Sequence, residues 1–169
     1  MSDRYDALKL ENQICFPLYA CAKEVVKAYK PFLDELELTY TQYITMMVLW
    51  EDKELRVKDV GKRLYLDSST LTPLLKRLEE KGYVTRRRST VDERDLIVTI
   101  TESGEALKER AVTVPERLSA CIQMDPRKAQ SLYDLLYELI GKLTQQDIQE
   151  GDHHGKSGIP VGRISDKQR

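Results

Sequence analysis

The stretch from Val57 to Ile100 constrains the fold of this chain more than any other part of it. Val57 to Leu64 carries a short helical pattern, Tyr65 and Leu66 interrupt it, and Asp67-Ser68-Ser69-Thr70 supplies side-chain oxygens of the kind that cap helix starts. A second helix is therefore predicted from near Ser68. Leu71, Leu75 and Leu78 recur on one face of it at helical spacing, Thr70, Thr72, Lys76 and Arg77 fall largely on the others, and Lys81-Gly82 ends it. Pro73 is tolerable there because it lies in the first turns, where a missing N–H costs little. Two β-prone runs follow, Tyr83 to Arg88 and Leu96 to Ile100, around a polar turn from Ser89 to Asp95, which is a hairpin pattern. Helix, turn, helix and basic hairpin is the order in which a winged helix presents one helix to the major groove and a β-loop to the DNA backbone or minor groove.

The flanking segments read as helical. Apolar residues recur from Leu8 to Ala28, with Tyr29-Lys30-Pro31 predicting a break before a short turn through Phe32 to Leu36. Thr39 or Thr41 can cap a helix whose run from Tyr43 to Trp50 is apolar on most faces and so is central to the core. Thr101 caps a long helix predicted to reach about Met124, and Asp125-Pro126 starts another to about Gln149. The expected fold class is mainly α with a small β-hairpin wing. It is a winged helix-turn-helix domain over residues 1–149, with a DNA-binding lobe at about 55–101 and dimerisation helices from both termini, at about 8–36 and 102–149. Residues 150–169, glycine-rich and without periodicity, are expected to be a disordered tail.

Composition narrows the chemistry. With 169 residues, 41% hydrophobic and 33% charged, the chain can bury one sizeable core. No run approaches a membrane span and the charged N-terminus lacks a signal-peptide core, so a cytoplasmic protein without membrane contact is expected. Cys15, Cys21 and Cys121 match no zinc spacing and both histidines fall in the tail, so neither a metal, a cofactor nor histidine-based catalysis is expected. The net charge of −1 does not advertise nucleic-acid binding, yet basic residues outnumber acidic ones between Arg56 and Asp95.

Ser68, Ser69 and Thr70 are short enough to let a helix start approach phosphate, and Thr72 and Pro73 stand with them as groove-facing candidates. Lys76, Arg77, Arg86 and Arg87 are candidates to neutralise phosphates. Arg94, at the wing tip, is placed in a narrow minor groove with Asp92 holding it. Taken singly, the arginine run also reads as a solvated edge strand and the hydroxyl run as a plain cap; their succession favours DNA.

These residues carry a resemblance. LYLDSSTLTPLLKRLEEKGYVTRRRSTVDERDLIVTITESG resembles the winged helix of the MarR family, whose wing typically reads D-x-R, here Asp92-Glu93-Arg94. LKLENQICFPLYACAKEVVKAYKPFLDELELTYTQY is similar, more narrowly, to the organic hydroperoxide regulators of that family, the OhrR subgroup, and the likeness runs over roughly residues 8–145. The resemblance implies a homodimeric repressor on an inverted-repeat operator in double-stranded DNA, which leaves its site when Cys15 is oxidised by an organic hydroperoxide. It also implies that Tyr29 and Tyr40 of the other subunit hydrogen-bond the thiolate, with Tyr19, one turn after Cys15, a further neighbour. Some members need a low-molecular-weight thiol to complete the switch; in others a second cysteine on the partner chain closes a disulfide, and Cys121 lies near where that type carries it.

Apart from the resemblance, phenolic O–H donors aimed at sulfur favour the thiolate, whose oxidation proceeds to sulfenic acid. Cys121 also reads as a plain buried thiol, since Leu118, Ala120 and Ile122 suit a helix-end packing site. Cys21 is rotated about 240° from Cys15 on a helix and receives no role. Two other readings stay open: a regulator released by a small aromatic ligand, and a thiol peroxidase, against which stands the lack of a C-x-x-C motif.

Overall fold

A computed structural model describes residues 4–90, 92 and 95–150, the last six of these in backbone only. The wing-tip candidate Arg94 and the expected tail from residue 151 onward lie outside the described residues.

The chain opens with two short 3-10 turns, Asp6–Leu8 and Leu10–Asn12, before α1 (Cys15–Asp34). The helix expected from Leu8 thus begins later. Asn12 donates its side-chain amide to the carbonyl of Asp6 at 2.8 Å, and Gln13 does the same to Ala7. Such local side-chain bonds compete with helical ones. Pro17 then falls in the first turn of α1, where its absent N–H is not missed. The predicted break at Tyr29 to Pro31 does not occur: α1 continues through Pro31 to Asp34, with Leu33 buried and Lys30 bridging Asp34 at 2.7 Å. Only one helical bond is forgone at the proline, and a buried leucine just beyond it holds the last turn in place.

Helix α2 (Tyr40–Asp52) is entered through a reciprocal cap. The Thr39 hydroxyl accepts from the Gln42 N–H at 3.3 Å, and the Gln42 side chain accepts from the Thr39 N–H at 3.0 Å. Met46 and Leu49 on it are fully buried, as the apolar run foretold. Next come β1 (Glu54–Arg56), α3 (Val57–Leu64), α4 (Ser68–Glu80), β2 (Val84–Arg88) and β3 (Leu96–Ile100).

Strand β1 is an addition to the predicted hairpin. It pairs antiparallel with β3 (Leu55 opposite Val98), giving a three-stranded sheet in the order β1-β3-β2. Three residues are too few for an alternation to show in sequence. In the hairpin Val84 faces Ile100 and Arg88 faces Leu96. Gly82 takes φ +76° after α4, and the N–H groups of Gly82 and Tyr83 return to the carbonyls of Glu79 and Leu78. This Schellman turn sends the chain directly into β2. Leu71, Leu74, Leu75 and Leu78 form the buried face of α4, packed in one core with Val60, Leu49, Val84 and Val98.

The helix predicted from Thr101 to about Met124 is two: α5 (Glu102–Ala111), capped by the Thr101 hydroxyl, and α6 (Val114–Ile122). Pro115, at the start of α6, lacks the N–H that would bond the Ala111 carbonyl, so the chain breaks at Val112–Thr113. Gly104 on α5 is closed to any Cβ by the carbonyl of Tyr83, and its own carbonyl accepts the indole N–H of Trp50 at 2.8 Å. Contacts divide the chain between Gln123 and Met124. The second unit carries α7 (Pro126–Glu150), whose first N–H groups, from Arg127 and Lys128, are accepted by Asp125. Among the described residues no helix is long and apolar enough to cross a membrane.

Candidate DNA face and thiol site

Asp67 is the N-cap of α4, accepting from the Thr70 N–H at 2.8 Å and the Ser69 hydroxyl at 2.6 Å. The Ser69 hydroxyl and then the Thr70 N–H hold its carboxyl below the usual carboxylate range. Ser68, Ser69, Thr70, Thr72, Pro73, Lys76 and Arg77 are all exposed, opposite the leucine face. Thr72 returns its hydroxyl to the Ser68 carbonyl at 2.7 Å, Lys76 stands 3.9 Å from Glu80, and Arg77 has no ion pair among the described residues. The predicted groove-facing set therefore does share one solvent face, at the start and middle of a single helix.

The wing base is different. Arg86, expected on phosphate, is half-buried and grips Glu79: its Nε and Nη2 donate to Oε2 at 3.0 and 2.6 Å, and its backbone N–H donates to Oε1 at 2.9 Å. This clamp ties β2 to α4, and it holds the Glu79 carboxyl below its ordinary range. The signal was present as period two: Arg86 lies on the same side of β2 as buried Val84, while Thr85 and Arg87 lie on the other. Arg87 donates to Glu54 at 3.0 Å, and Thr99 donates to the same carboxylate at 2.6 Å; the Thr99 bond and then Arg87 hold Glu54 low. Asp95 receives Lys58 at 2.9 Å and Arg56 at 3.7 Å, and Arg56 also donates to Asp59 at 2.6 Å. Asp92 shapes the turn, its carbonyl accepting from the Asp95 N–H at 2.9 Å.

Cys15 is the first residue of α1 and is exposed, its sulfur 4.0 Å from the Gln13 side-chain oxygen. No side chain caps this helix start; the Gln13 carbonyl takes the Phe16 N–H at 3.2 Å and Pro17 has none to offer. Ile14 (76% exposed), Phe16 and Tyr19 (64%) surround the thiol with uncovered apolar surface. The Tyr29 and Tyr40 rings lie 5.0 Å apart, with Tyr43 5.9 Å from Tyr29. Burial raises the pKa of all three phenols, assisted by neighbouring tyrosines at Tyr29 and Tyr43, and carries Tyr43 to about 12. They are O–H donors at neutral pH. Fourteen residues of α1 separate Cys15 from Tyr29, a rise of about 21 Å. A chain's own Tyr29 cannot reach its own Cys15.

Cys121, near the end of α6, is exposed, where a plain packing role would bury it. One turn earlier, Arg117 lies 4.5 Å over the Phe32 ring and bonds both carboxylate oxygens of Glu35 at 2.7 Å, fixing α6 against the distal half of α1. The two thiols of one chain are thereby held far beyond disulfide reach. Cys21 is exposed as well, and no metal-binding cluster is present among the described residues.

A capped, hydroxyl-fronted helix followed by a basic hairpin is the arrangement of a winged helix. The family of SarA/Rot transcriptional regulators matches residues 27–111. The organic hydroperoxide resistance transcriptional regulator of Bacillus subtilis is 46% identical over 147 residues, which is 87% of this chain and 100% of that protein. The regulator SarZ of Staphylococcus saprophyticus is 41% identical over 139 residues, 82% of this chain and 95% of that one. Among solved structures, reduced AbfR bound to DNA superposes with a TM-score of 0.68 at 32% identity, covering 84% of this chain and 99% of that one. Disulfide-formed AbfR gives 0.56 at 36% identity, covering 81% and 96%. The chain belongs to the SarA/Rot family of MarR-type winged-helix transcriptional regulators.

Proposed function

We propose that this chain is a homodimeric cytoplasmic repressor that holds an inverted-repeat operator while Cys15 is reduced and releases it when an organic hydroperoxide oxidises that thiol. The observation that carries the reading is the separation of the thiol from its donors. Cys15 is open at an uncapped helix start, while the Tyr29–Tyr40 pair of the same chain lies about 21 Å further along. Two protomers set head to tail along α1 bring each tyrosine pair to the other's sulfur, with Tyr19 alongside.

The thiolate attacks the terminal oxygen of the hydroperoxide. A sulfur–oxygen bond forms, the O–O bond breaks, and the alkoxide takes a proton and leaves as the alcohol; sulfur loses two electrons and becomes sulfenic acid. Cys121 of the other protomer then attacks that sulfur, an S–S bond forms, and the hydroxyl departs with a proton as water. A low-molecular-weight thiol taking the place of Cys121 gives a mixed disulfide by the same balance. Each event uses one hydroperoxide per signal, without turnover, so the chain is a sensor and not an enzyme.

The DNA step follows from the exposed face of α4. Lys76 and Arg77 meet phosphates, Ser68, Ser69, Thr70, Thr72 and Pro73 front the groove, and Arg87 belongs to the wing. Two α4 helices one DNA turn apart bind together, and a crosslink between α1 and α6 changes their spacing. Related AbfR has been seen on DNA both reduced and overoxidised, and separately with a disulfide formed.

The test is a gel shift on an inverted-repeat DNA library, with and without cumene hydroperoxide, for wild type, Cys15→Ser and Cys121→Ser. Wild type is expected to release DNA and run as a crosslinked dimer without reductant. Cys15→Ser stays bound, and Cys121→Ser releases only when a small thiol is added. Binding by wild type that ignores the hydroperoxide would overturn the redox reading, and release by a phenolic ligand in its place would make this an aromatic-ligand sensor.

A further inference from the structure

We infer that Lys62 and Tyr65, in the turn that joins α3 to α4, clamp a backbone phosphate at the rim of the groove that α4 enters; this rests on the reading of α4 as the groove helix. Tyr65 closes α3 in the left-handed region, at φ +53° and ψ +38°, its N–H returning to the Gly61 carbonyl. That conformation suits glycine and strains a side chain with a Cβ. Four non-glycine residues adopt positive φ among the described residues, and the other three, Glu37, Lys53 and Gln123, are long polar chains. Tyr65 is the aromatic one, it is 58% exposed, and its ring meets no other ring among the described residues. The ring thus stands mostly in water, at a place where a smaller residue is easier to hold.

The neighbouring cations show the same selection. Arg56 is held by Asp59, Lys58 by Asp95, and Arg63 by Glu51 and Asp52. Lys62, in the last turn of α3, is exposed and has no ion pair among the described residues. Two residues beyond Tyr65, the nearby carboxylate of Asp67 is already engaged by Ser69 and Thr70. An ammonium and a phenolic O–H can both donate, and a phosphodiester oxygen is an acceptor without protons, so the pair suits a backbone phosphate; base edges offer acceptors too, and it is the place of the turn ahead of α4 that favours the backbone. When a recognition helix enters the major groove start first, the turn before it passes over the phosphate ridge.

A phosphate contact carries no sequence information, which makes the clamp separable from groove reading. The experiment measures affinity for an inverted-repeat duplex selected by the wild-type dimer and for a random duplex of equal length, across a salt series, together with melting temperature. Tyr65→Phe, which removes only the hydroxyl, is expected to weaken both duplexes equally, by about fivefold. Lys62→Gln is expected to lower the slope of log affinity against log salt by about 0.9 for each subunit. Tyr65→Gly relieves the left-handed strain, so it is expected to melt at or above the wild-type temperature while binding less tightly. Unchanged affinity in Tyr65→Phe and Lys62→Gln, or a lower melting temperature in Tyr65→Gly, overturns the clamp while leaving the α4 reading intact. If Arg77→Ala also leaves both affinities unchanged, the α4 reading itself fails.

Discussion

The lobe from Val57 to Ile100 and the first helix solve opposite problems. The lobe is closed within one chain: its leucines share a core with its own strands and with α2, and its wing base is tied by Arg86 to Glu79, Arg87 to Glu54 of β1 and Lys58 to Asp95. Around Cys15 the chain leaves Ile14, Phe16 and Tyr19 in water, and the tyrosines proposed as its donors lie a helix length away. One region is complete in a single copy, and the other makes sense only with a second. Sequence-local packing can build a DNA reader; a sensor that must alter the spacing between two readers has to be built from both chains.

Leu75→Ala tests the self-sufficiency of the lobe most severely. Leu75 is fully buried, and the cavity is expected to cost about 2–5 kcal/mol in denaturant unfolding, by the same amount at low and high protein concentration. A loss that appears only in dilute protein would mean that the lobe too leans on the partner. Conversely, Ile14→Asp with Phe16→Asp puts charge on the open surface beside the thiol. Sedimentation should then show monomers, and operator affinity should fall on the order of a hundredfold, because two half-sites are no longer engaged together. A dimer that survives both substitutions would place the interface elsewhere.

How much of this could be read in advance follows the same division. The α4 cap and leucine face, and the strand ends, came from patterns that one copy satisfies by itself, so Ser68, Gly82 and Leu96 mark real boundaries. Strand β1 escaped because three residues show no period, and the break before Pro115 was overlooked although the proline announces it. Arg86 was read by its charge; its place two residues after Val84 turns it inward to Glu79. The pairing of Cys15 with the tyrosines rests on family resemblance alone, since no local pattern relates residues that would meet across two chains.

Two smaller effects sharpen the contrast. Asp67→Ala removes the cap of α4 and is expected to cost about 1 kcal/mol of stability, read by thermal melting, with little effect on oxidation of Cys15. The tyrosine cluster responds instead to alkali. Its phenols have pKa values raised in the folded chain, so their stabilisation is complete below pH 10 and is lost as pH rises, for Tyr43 as far as about 12. Urea midpoints should fall across that interval, and Tyr43→Phe should flatten part of the fall; an unchanged profile would mean that Tyr43 ionises as freely as in the unfolded chain.

Trp50 is the sole tryptophan of the sequence. It is buried, edge-on to Tyr43 at 6.2 Å, and bonded through its indole N–H to the Gly104 carbonyl. The chain thus carries a built-in fluorophore where the phenol cluster adjoins the helix that follows the wing. Burial is expected to shift its emission to the blue, which would give a label-free optical report on whether the proposed oxidation at Cys15 is felt beside the helix that follows the wing.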